Sequence, residues 1–276
     1  MTIHSVYQQA LQYVGIGAVD TFAIHQLLQF HNRIANVDML LTKLDCQMLD
    51  YQAFIKNFQR LKDGEPLAYI LGYTTFLALT IGVDKNVLIP RQETEELVMI
   101  VSKLFPAISD VQVVDVGTGS GAIALALKSL RPHWRVIATD ISQSALNVAK
   151  SNAKKLQLDV SFFQGDGLKV MASSYNQNIQ IIVSNPPYVE DEDQLDPSVK
   201  QFEPHLALLA KPNTKFYKQY LQEGKRLISC KGIFAFEIDP TLEKPLQQMI
   251  LSIYPYATWT FLKDINGKTR FALLYT

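Results

Sequence analysis

A short rigid motif in the second half of the chain carries residue types that could orient a nitrogen atom. It is Asn185-Pro186-Pro187-Tyr188, which directly follows the apolar segment 179–184. The two prolines stiffen the backbone, and the first one disfavours a helical conformation of Asn185. The side-chain oxygen of Asn185 and the carbonyl of Pro186 could each accept one N–H of an amide or ring amine, and Tyr188 offers a flat face for a planar group. The motif is typical of a site that aims a planar nitrogen at an electrophile.

A glycine-rich loop farther upstream could hold a small ligand. It is Asp115-Val116-Gly117-Thr118-Gly119-Ser120-Gly121, between an apolar strand pattern and a helix pattern. Glycines there allow a tight turn and a close approach of the ligand to bare backbone, and the N–H groups of the following helix point at it. Asp140, at the end of the next predicted strand, could accept hydrogen bonds from a ribose diol. Because Gly117-x-Gly119-x-x-Ala122 also fits the dinucleotide fingerprint, the loop alone leaves NAD and S-adenosylmethionine both open.

Two features favour S-adenosylmethionine over NAD. Asp115 stands two residues before the first glycine, where a carboxylate is unfavourable beside a pyrophosphate but suits a ligand that carries an ammonium and a sulfonium. The motif at 185–188 is the second feature, because a nitrogen held there could attack the methyl group of a sulfonium. These residues predict methyl transfer from S-adenosylmethionine to a planar nitrogen.

Three further residues are candidate contacts. Asp166 could accept the exocyclic amine of adenine and Gly167 could bind the same edge through its backbone, although Asp-Gly is also a common plain turn. Arg91 precedes a predicted helix. It could line the entrance for a peptide or form a surface salt bridge, and the sequence leaves these two roles equally open.

The pattern around these motifs predicts an α/β fold. From residue 111 apolar strands alternate with helices, which favours a mostly parallel sheet covered on both faces, and Asn266-Gly267 joins two closing strands as a hairpin. Residues 1–75 show helical spacing and predict a bundle of four or five short helices. Residues 76–90 predict a strand, a turn at 84–86 and a second strand. The predicted strands are 111–116, 135–140, 159–166, 179–187, 232–238, 258–264 and 270–276, and the predicted helices are 92–104, 121–130, 142–156 and 213–229.

Composition excludes several classes of protein. Lys plus Arg equals Asp plus Glu at 26 each, so no overall basic field favours nucleic acid, although a local patch stays open. Cys46 and Cys230 are expected to be reduced core thiols, and the five histidines show no metal-ligand spacing, so no metal is expected. The N-terminus does not have the pattern of a signal peptide, and no apolar run is long enough for a membrane span. We therefore expect a cytoplasmic protein without membrane contacts.

Beyond these motifs, the chain resembles a known family over nearly its whole length. The family pattern GEPLxYIxG, then F, then VLIPRPETE corresponds here to GEPLAYILG at 64–72, Phe76 and VLIPRQETE at 87–95. Further matches are Phe202-Glu203-Pro204, Leu206-Ala207-Leu208, Lys263-Asp264, Gly267 and Arg270. The chain departs from the pattern at Gln92, at Leu77-Ala78 and at Asp239-Pro240. The family is the class I methyltransferases that modify the glutamine of peptide-chain release factors.

The resemblance implies an enzyme, its substrate and a domain order. Residues 1–75 would be a helical domain that docks the release factor, 76–90 a linking β-hairpin, and 91–276 a Rossmann-like methyltransferase domain with a seven-stranded, mostly parallel sheet and an antiparallel last strand. The reaction would be N5-methylation of the glutamine in a Gly-Gly-Gln motif, with S-adenosylhomocysteine as the other product. A monomer is expected, and no nucleic acid is expected to bind directly.

Two other functions were weighed against this one. Adenine-N6 and guanine-N2 methyltransferases of nucleic acids share the Asn-Pro-Pro-Tyr motif, but residues 1–75 carry five Lys or Arg against six Asp or Glu, which makes a poor phosphate clamp. A catalytically silent adaptor would need neither Asn185 nor the glycine loop, and both are intact.

Overall fold

The computed structural model describes residues 1–106, 108–172 and 175–276, which form two compact units. The first unit comprises Met1–Tyr73 and Asp196–Phe202. Its helices are α1 (Ile3–Leu11), α2 (Thr21–Asn32), α3 (Val37–Thr42), α4 (Tyr51–Lys62), α5 (Leu67–Leu71) and, later in the chain, α9 (Pro197–Phe202). The predicted N-terminal helical bundle is thus confirmed, whereas α9 was not predicted.

Short polar residues cap the starts of two helices in the first unit. The side chains of Asp20 and Asn36 accept the N–H groups of Ala23 and Met39 and so cap α2 and α3. The apolar faces of the helices meet in a core of their own, in which Leu28 is fully buried. This unit therefore has its own hydrophobic core.

The linking hairpin lies nearer the N-terminus than predicted. Its strands are β1 (Tyr73–Phe76) and β2 (Leu79–Gly82), and residues 77–78 join them. The prediction of a turn at 84–86 between two strands is therefore wrong. Residues 84–86 do form a turn, but no strand follows it.

The misplaced turn has a physical cause. Asp84 and Asn86 carry a turn signal, because the Asp84 carboxylate accepts the Asn86 N–H, whereas Leu77 and Ala78 carry none. The hairpin nevertheless turns at Leu77, which takes a left-handed conformation with φ of 50°. Its N–H donates to the Glu95 carboxylate at 2.7 Å, a contact distant in sequence that holds the turn in place.

The second unit contains one seven-stranded sheet. Its strands in chain order are β3 (Gln112–Val116), β4 (Arg135–Asp140), β5 (Ser161–Gln164), β6 (Ile179–Ser184), β7 (Ile228–Glu237), β8 (Thr258–Lys263) and β9 (Thr269–Tyr275). Their spatial order is β5-β4-β3-β6-β7-β9-β8. The pairs from β5 to β7 are parallel, and the last strand of the chain, β9, is antiparallel to β7. This confirms the predicted mostly parallel sheet with an antiparallel last strand.

Helices cover this sheet, and both faces of the central strands are buried. Val113 and Val114 point to opposite faces of β3, and neither is exposed. The helices of this unit are α6 (Gln92–Ser102), α7 (Ala122–Leu130), α8 (Gln143–Leu156), α10 (Lys215–Gly224) and α11 (Glu243–Ile253). Helix α11 was not predicted from the sequence, and it packs on α10 and β9.

The structure bears on two further expectations, which concern the burial of the cysteines and the presence of membrane-spanning segments. Cys46 and Cys230 are exposed, so the expectation of core thiols is wrong. Each cysteine lies in a polar segment at the surface, and one small apolar side chain is not enough to bury such a segment. Within the described ranges, the structure has no helix with the length and apolar character needed to cross a membrane.

Candidate active site

The predicted chemical groups gather at one edge of the sheet. Parallel strands end at the same edge, and the ends of β3, β4, β6 and β7 lead into the glycine loop, Asp140, Asn185 and Glu237. The side-chain hydroxyl of Ser184 donates to the Val116 carbonyl at 2.6 Å, which ties the ends of β3 and β6 together. Ligands bind at this edge in open α/β sheets.

The glycine loop is shaped by backbone that only glycine adopts easily. Gly121 has φ of 85°, which is strained for other residues, and a Cβ there would lie 3.1 Å from Leu125 and 3.2 Å from Ala149, so a side chain would fit only if these neighbours moved. At Gly119 a Cβ would meet nothing within 4 Å, which leaves open space above the loop. The loop is thus tightly packed beneath and open toward a ligand.

Asp140 holds this loop from the neighbouring strand. Its Oδ2 accepts the Gly119 N–H and its Oδ1 accepts the Ser142 N–H, both at 2.8 Å. A carboxylate has about four lone-pair sites, so Asp140 could also accept a hydroxyl. Burial raises the pKa of Asp140, and hydrogen bonds from Ser142 and Gly119 oppose this effect.

Asp115 supports the loop from below instead of facing the open space. It is fully buried, and its Oδ2 accepts the Thr118 hydroxyl at 2.6 Å and the Ala124 N–H at 3.2 Å, while its Oδ1 has no partner among the described residues. Burial raises the pKa of Asp115 from 3.8 to about 7, and the Asp140 carboxylate adds to this rise.

A cavity of about 490 Å³ lies above the glycine loop, a size common for small-ligand sites. Most of the predicted site residues line it. These are Arg91, Gly117, Thr118, Gly119, Ser120, Asp140, Asp166, Gly167, Asn185 and Pro187. The predicted residues Asp115, Gly121, Pro186 and Tyr188 lie outside its lining. Tyr188 packs against the hydrophobic core of the sheet, and burial raises its pKa to about 12.

Arg91 lies at the cavity and forms a salt bridge, and its role at a peptide entrance stays a prediction. It lines the cavity, and its Nη2 pairs with Glu203 Oε1 at 2.5 Å. The Glu203 side chain is only 1% exposed and also accepts the Ile89 N–H at 3.1 Å. The partner is therefore a buried carboxylate, which holds the guanidinium at the rim of the cavity.

The Asp166 carboxylate already accepts hydrogen bonds that compete with the one expected from the exocyclic amine of adenine. Its two oxygens accept Gln219 Nε2 at 2.8 Å and Lys169 Nζ at 2.6 Å, and these hydrogen bonds lower its pKa. Gln219 belongs to α10, whose Phe216 and Tyr220 also line the cavity. These two aromatic residues were not predicted to line the site, although the spacing of four between Phe216 and Tyr220 places both rings on one helix face.

Asn185 is held by two residues that the sequence analysis did not single out. Its Nδ2 donates to the Thr94 hydroxyl at 3.0 Å, and that hydroxyl donates to Glu237 Oε2 at 2.7 Å. Thr94 and Glu237 are 4% and 3% exposed. Burial raises the pKa of Glu237 to about 7, and hydrogen bonds from Thr94 and Asn185 oppose this rise. The only feature of the sequence that pointed to either residue was that Thr94 lies in segment 87–95, which matches the family pattern VLIPRPETE.

The relatives of this chain in sequence are methyltransferases. The family model described as "Methyltransferase small domain" matches residues 96–203. The release factor glutamine methyltransferase of Enterococcus faecalis is 41% identical over 75% of this chain and 75% of its own length. That of Flavobacterium psychrophilum is 36% identical over 88% and 87%, and that of Bacillus subtilis is 38% identical over 79% and 77%.

Solved structures agree on the fold. A methyltransferase from Pyrococcus furiosus is 17% identical with a TM-score of 0.54, covering 73% of this chain and 90% of that one. The N-terminal domain of human METTL16, solved in complex with SAH, is 15% identical with a TM-score of 0.52, covering 72% and 75%.

The sheet order, the glycine loop at its edge and the Asn-Pro-Pro-Tyr segment after β6 define a methyltransferase with a Rossmann-like domain. Within this class, the sequence identity to the relatives above extends over most of their length and indicates one family. The chain belongs to the release factor glutamine methyltransferase family.

The raised pKa of Asp115 predicts a dependence of stability on pH. Between about pH 4 and about pH 7 the unfolded chain has lost this proton while the folded chain keeps it. The contribution of Asp115 to the free energy of unfolding therefore falls as pH rises through this range, by up to about 1.4 kcal/mol per pH unit. Asp115→Asn does not titrate, so we expect its stability relative to wild type to increase as the pH rises.

Urea unfolding at several pH values across this range measures the effect. Asp110→Asn is the matched control, because it removes an exposed carboxylate just before the same strand, β3. A stability difference between Asp115→Asn and wild type that stays constant with pH would contradict the assignment.

Proposed function

We propose that this chain transfers the methyl group of S-adenosylmethionine to the side-chain amide nitrogen of the glutamine in the Gly-Gly-Gln motif of peptide-chain release factors. The observation that carries the proposal is the position of Asn185, which lines the same cavity as the glycine loop and Asp140. Family membership supports the choice of substrate, because the relatives are release factor glutamine methyltransferases.

The residues present fit S-adenosylmethionine. The open space above Gly119 leaves room for a ligand against bare backbone, and Asp140 offers free lone pairs to a ribose. Phe216 and Tyr220 provide apolar surface for an aromatic ring. When bound, S-adenosylmethionine supplies an electrophilic methyl group and a neutral thioether leaving group.

Asn185 would orient the substrate nitrogen. Its Nδ2 is engaged by Thr94, so its Oδ1 is the atom that can accept one substrate N–H, and the Pro186 carbonyl would accept the other. Fixing both N–H groups aims the nitrogen lone pair, which is a poor nucleophile because it is delocalised. The nitrogen forms one bond to the methyl carbon as the carbon–sulfur bond breaks, and the amide then loses one proton to solvent. No strong base is required.

A labelling experiment tests the reaction. Purified release factor and S-adenosylmethionine with a labelled methyl group are incubated with wild type and with Asn185→Ala, followed by mass mapping of the modified peptide. We expect one methyl group on the glutamine of Gly-Gly-Gln, and a loss of kcat of about 10²–10³ in Asn185→Ala because one preorganised contact is gone.

Two results would reject the proposal. Label that appears on nucleic acid but not on release factor would favour the adenine-N6 or guanine-N2 alternative. If Asn185→Ala and Asn185→Asp both retain nearly the wild-type kcat, Asn185 has only a structural role and the proposed mechanism is wrong.

Cofactor binding is tested separately at Asp140. We expect Asp140→Ala to weaken the affinity for S-adenosylmethionine by about 1.5–3 kcal/mol, the range for a charge-assisted hydrogen bond. Calorimetry measures the affinity, with Asp159→Ala as a control that removes an exposed aspartate before β5. An unchanged affinity in folded Asp140→Ala would reject the ribose contact.

We also propose that residues 1–75 dock the release factor. This segment has its own core yet exposes large apolar side chains, among them Phe22 at 65% and Leu49 at 69%. Its near-neutral charge suits a protein partner better than a phosphate backbone. Large exposed apolar side chains are common anchors of protein interfaces.

A double substitution of these side chains separates docking from chemistry. We expect Phe22→Ser with Leu49→Ser to raise KM for intact release factor about tenfold, as loss of interface anchors does, and to leave turnover of a short Gly-Gly-Gln peptide unchanged. Tyr256→Ser is the control, because it removes a side chain that is 98% exposed in the second unit. An unchanged KM for release factor would contradict the docking role of these side chains.

A further inference from the structure

A buried polar pair lies directly behind Asn185. It consists of Thr94, in the first turn of α6, and Glu237, the last residue of β7. The Thr94 hydroxyl donates to Glu237 Oε2 at 2.7 Å and accepts Asn185 Nδ2 at 3.0 Å. The second unit therefore brings three distant parts of the chain together at one amide group.

The direction of these hydrogen bonds decides which end of the amide faces the cavity. The oxygen and nitrogen of an Asn side chain are nearly alike in shape, so only their partners distinguish them. The Thr94 hydroxyl has a single hydrogen, and the Glu237 carboxylate takes it. Toward Asn185 this hydroxyl can then only accept, which draws Nδ2 inward and leaves Oδ1 for the cavity.

We propose that Thr94 and Glu237 are positioning residues, which lock the Asn185 side chain with its amide oxygen directed at the substrate nitrogen. This inference rests on the proposed function insofar as Asn185 is to accept a substrate N–H. The lock itself is a property of the folded chain. Without the Glu237 carboxylate, the Thr94 hydroxyl could turn and donate to the amide oxygen, which would present N–H groups to another N–H donor.

The charge of Glu237 depends on its neighbours. Burial contributes most to its raised pKa of about 7, the Glu93 carboxylate raises it further, and the Arg270 guanidinium lowers it. Burial also raises the pKa of Tyr188 and Tyr217, so both phenols stay neutral beside it. Charged or titratable groups thus act on Glu237 from α6, β9, α10 and the segment after β6; they are Glu93, Arg270, Tyr217 and Tyr188. Asp239, in the segment after β7, acts on the two tyrosines.

Substitutions at Thr94 test the lock while Glu237 is kept. Thr94→Val keeps the shape and removes the hydroxyl, and we expect kcat to fall about 10- to 100-fold, as when a reactant is misaligned, with KM and cofactor affinity within about twofold of wild type. Thr94→Ser restores a hydroxyl and should recover most of the lost rate. Ser102→Ala is the matched control, because it removes a buried hydroxyl from the opposite end of the same helix.

The pH profile adds a readout that a purely structural role would not change. A protonated Glu237 is a weaker acceptor and can itself donate to the Thr94 hydroxyl, which frees that hydroxyl to donate to the Asn185 oxygen. We therefore expect wild-type kcat to fall as pH drops through about 7. Glu237→Gln cannot titrate and should show a reduced kcat without that acidic limb. Retention of the same limb in Glu237→Gln would overturn the role of Glu237.

A measurement on the free protein separates this inference from the proposed function. The side-chain NH₂ signals of Asn185 in ¹⁵N-labelled protein are assigned by their absence in Asn185→Asp. We expect Thr94→Val to speed their exchange with solvent at least about tenfold, because a buried hydrogen-bond partner is lost. Unchanged exchange in Thr94→Val would overturn the lock, whereas a wild-type enzyme that shows the lock but methylates no release factor would overturn only the proposed function.

Discussion

The direction of the parallel strands is the constraint on which the site depends. Because four neighbouring strands run the same way, their ends meet at one edge, and the segments that follow them converge there. The glycine loop, Asp140 and Asn185 come from β3, β4 and β6 and share one cavity. Hydrogen bonds between these strand ends, such as the one from the Ser184 hydroxyl to the Val116 carbonyl, then fix the positions of the ends relative to each other.

Buried carboxyl groups hold this edge together in two different ways. Glu203 is paired with the Arg91 guanidinium, so its charge is balanced where it lies. Asp115 has no such cation partner in the described structure and instead accepts hydrogen bonds from Thr118 and Ala124. Since a buried, unpaired charge is unfavourable, its pKa rises toward 7 and its charge becomes sensitive to any cation bound nearby. A ligand that carries a sulfonium would favour the ionised form.

The sequence predicted the fold well where its signals were local. The segment 135–140 became β4 with the same bounds, because its continuous apolar stretch 136–138 is typical of a strand buried inside a parallel sheet. The hairpin turn at Leu77 was missed, since its left-handed conformation depends on a hydrogen bond to Glu95, which is distant in sequence. Thr94 and Glu237 were missed for the same reason: their importance lies in a contact between α6 and β7 that no spacing reveals.

The hydrogen-bonded pair behind Asn185 also reconciles two electrostatic demands of methyl transfer to an amide. The acceptor must be strong enough to hold a weak donor, yet a full negative charge beside a sulfonium stabilises the ground state, whose positive charge is lost in the transition state. A neutral amide meets the second demand. Its N–H donates into a chain that ends at Glu237, and successive hydrogen bonds polarise one another, so the amide oxygen becomes a stronger acceptor. The carboxylate charge thus acts on the substrate nitrogen through the Asn185 amide while it remains buried behind it.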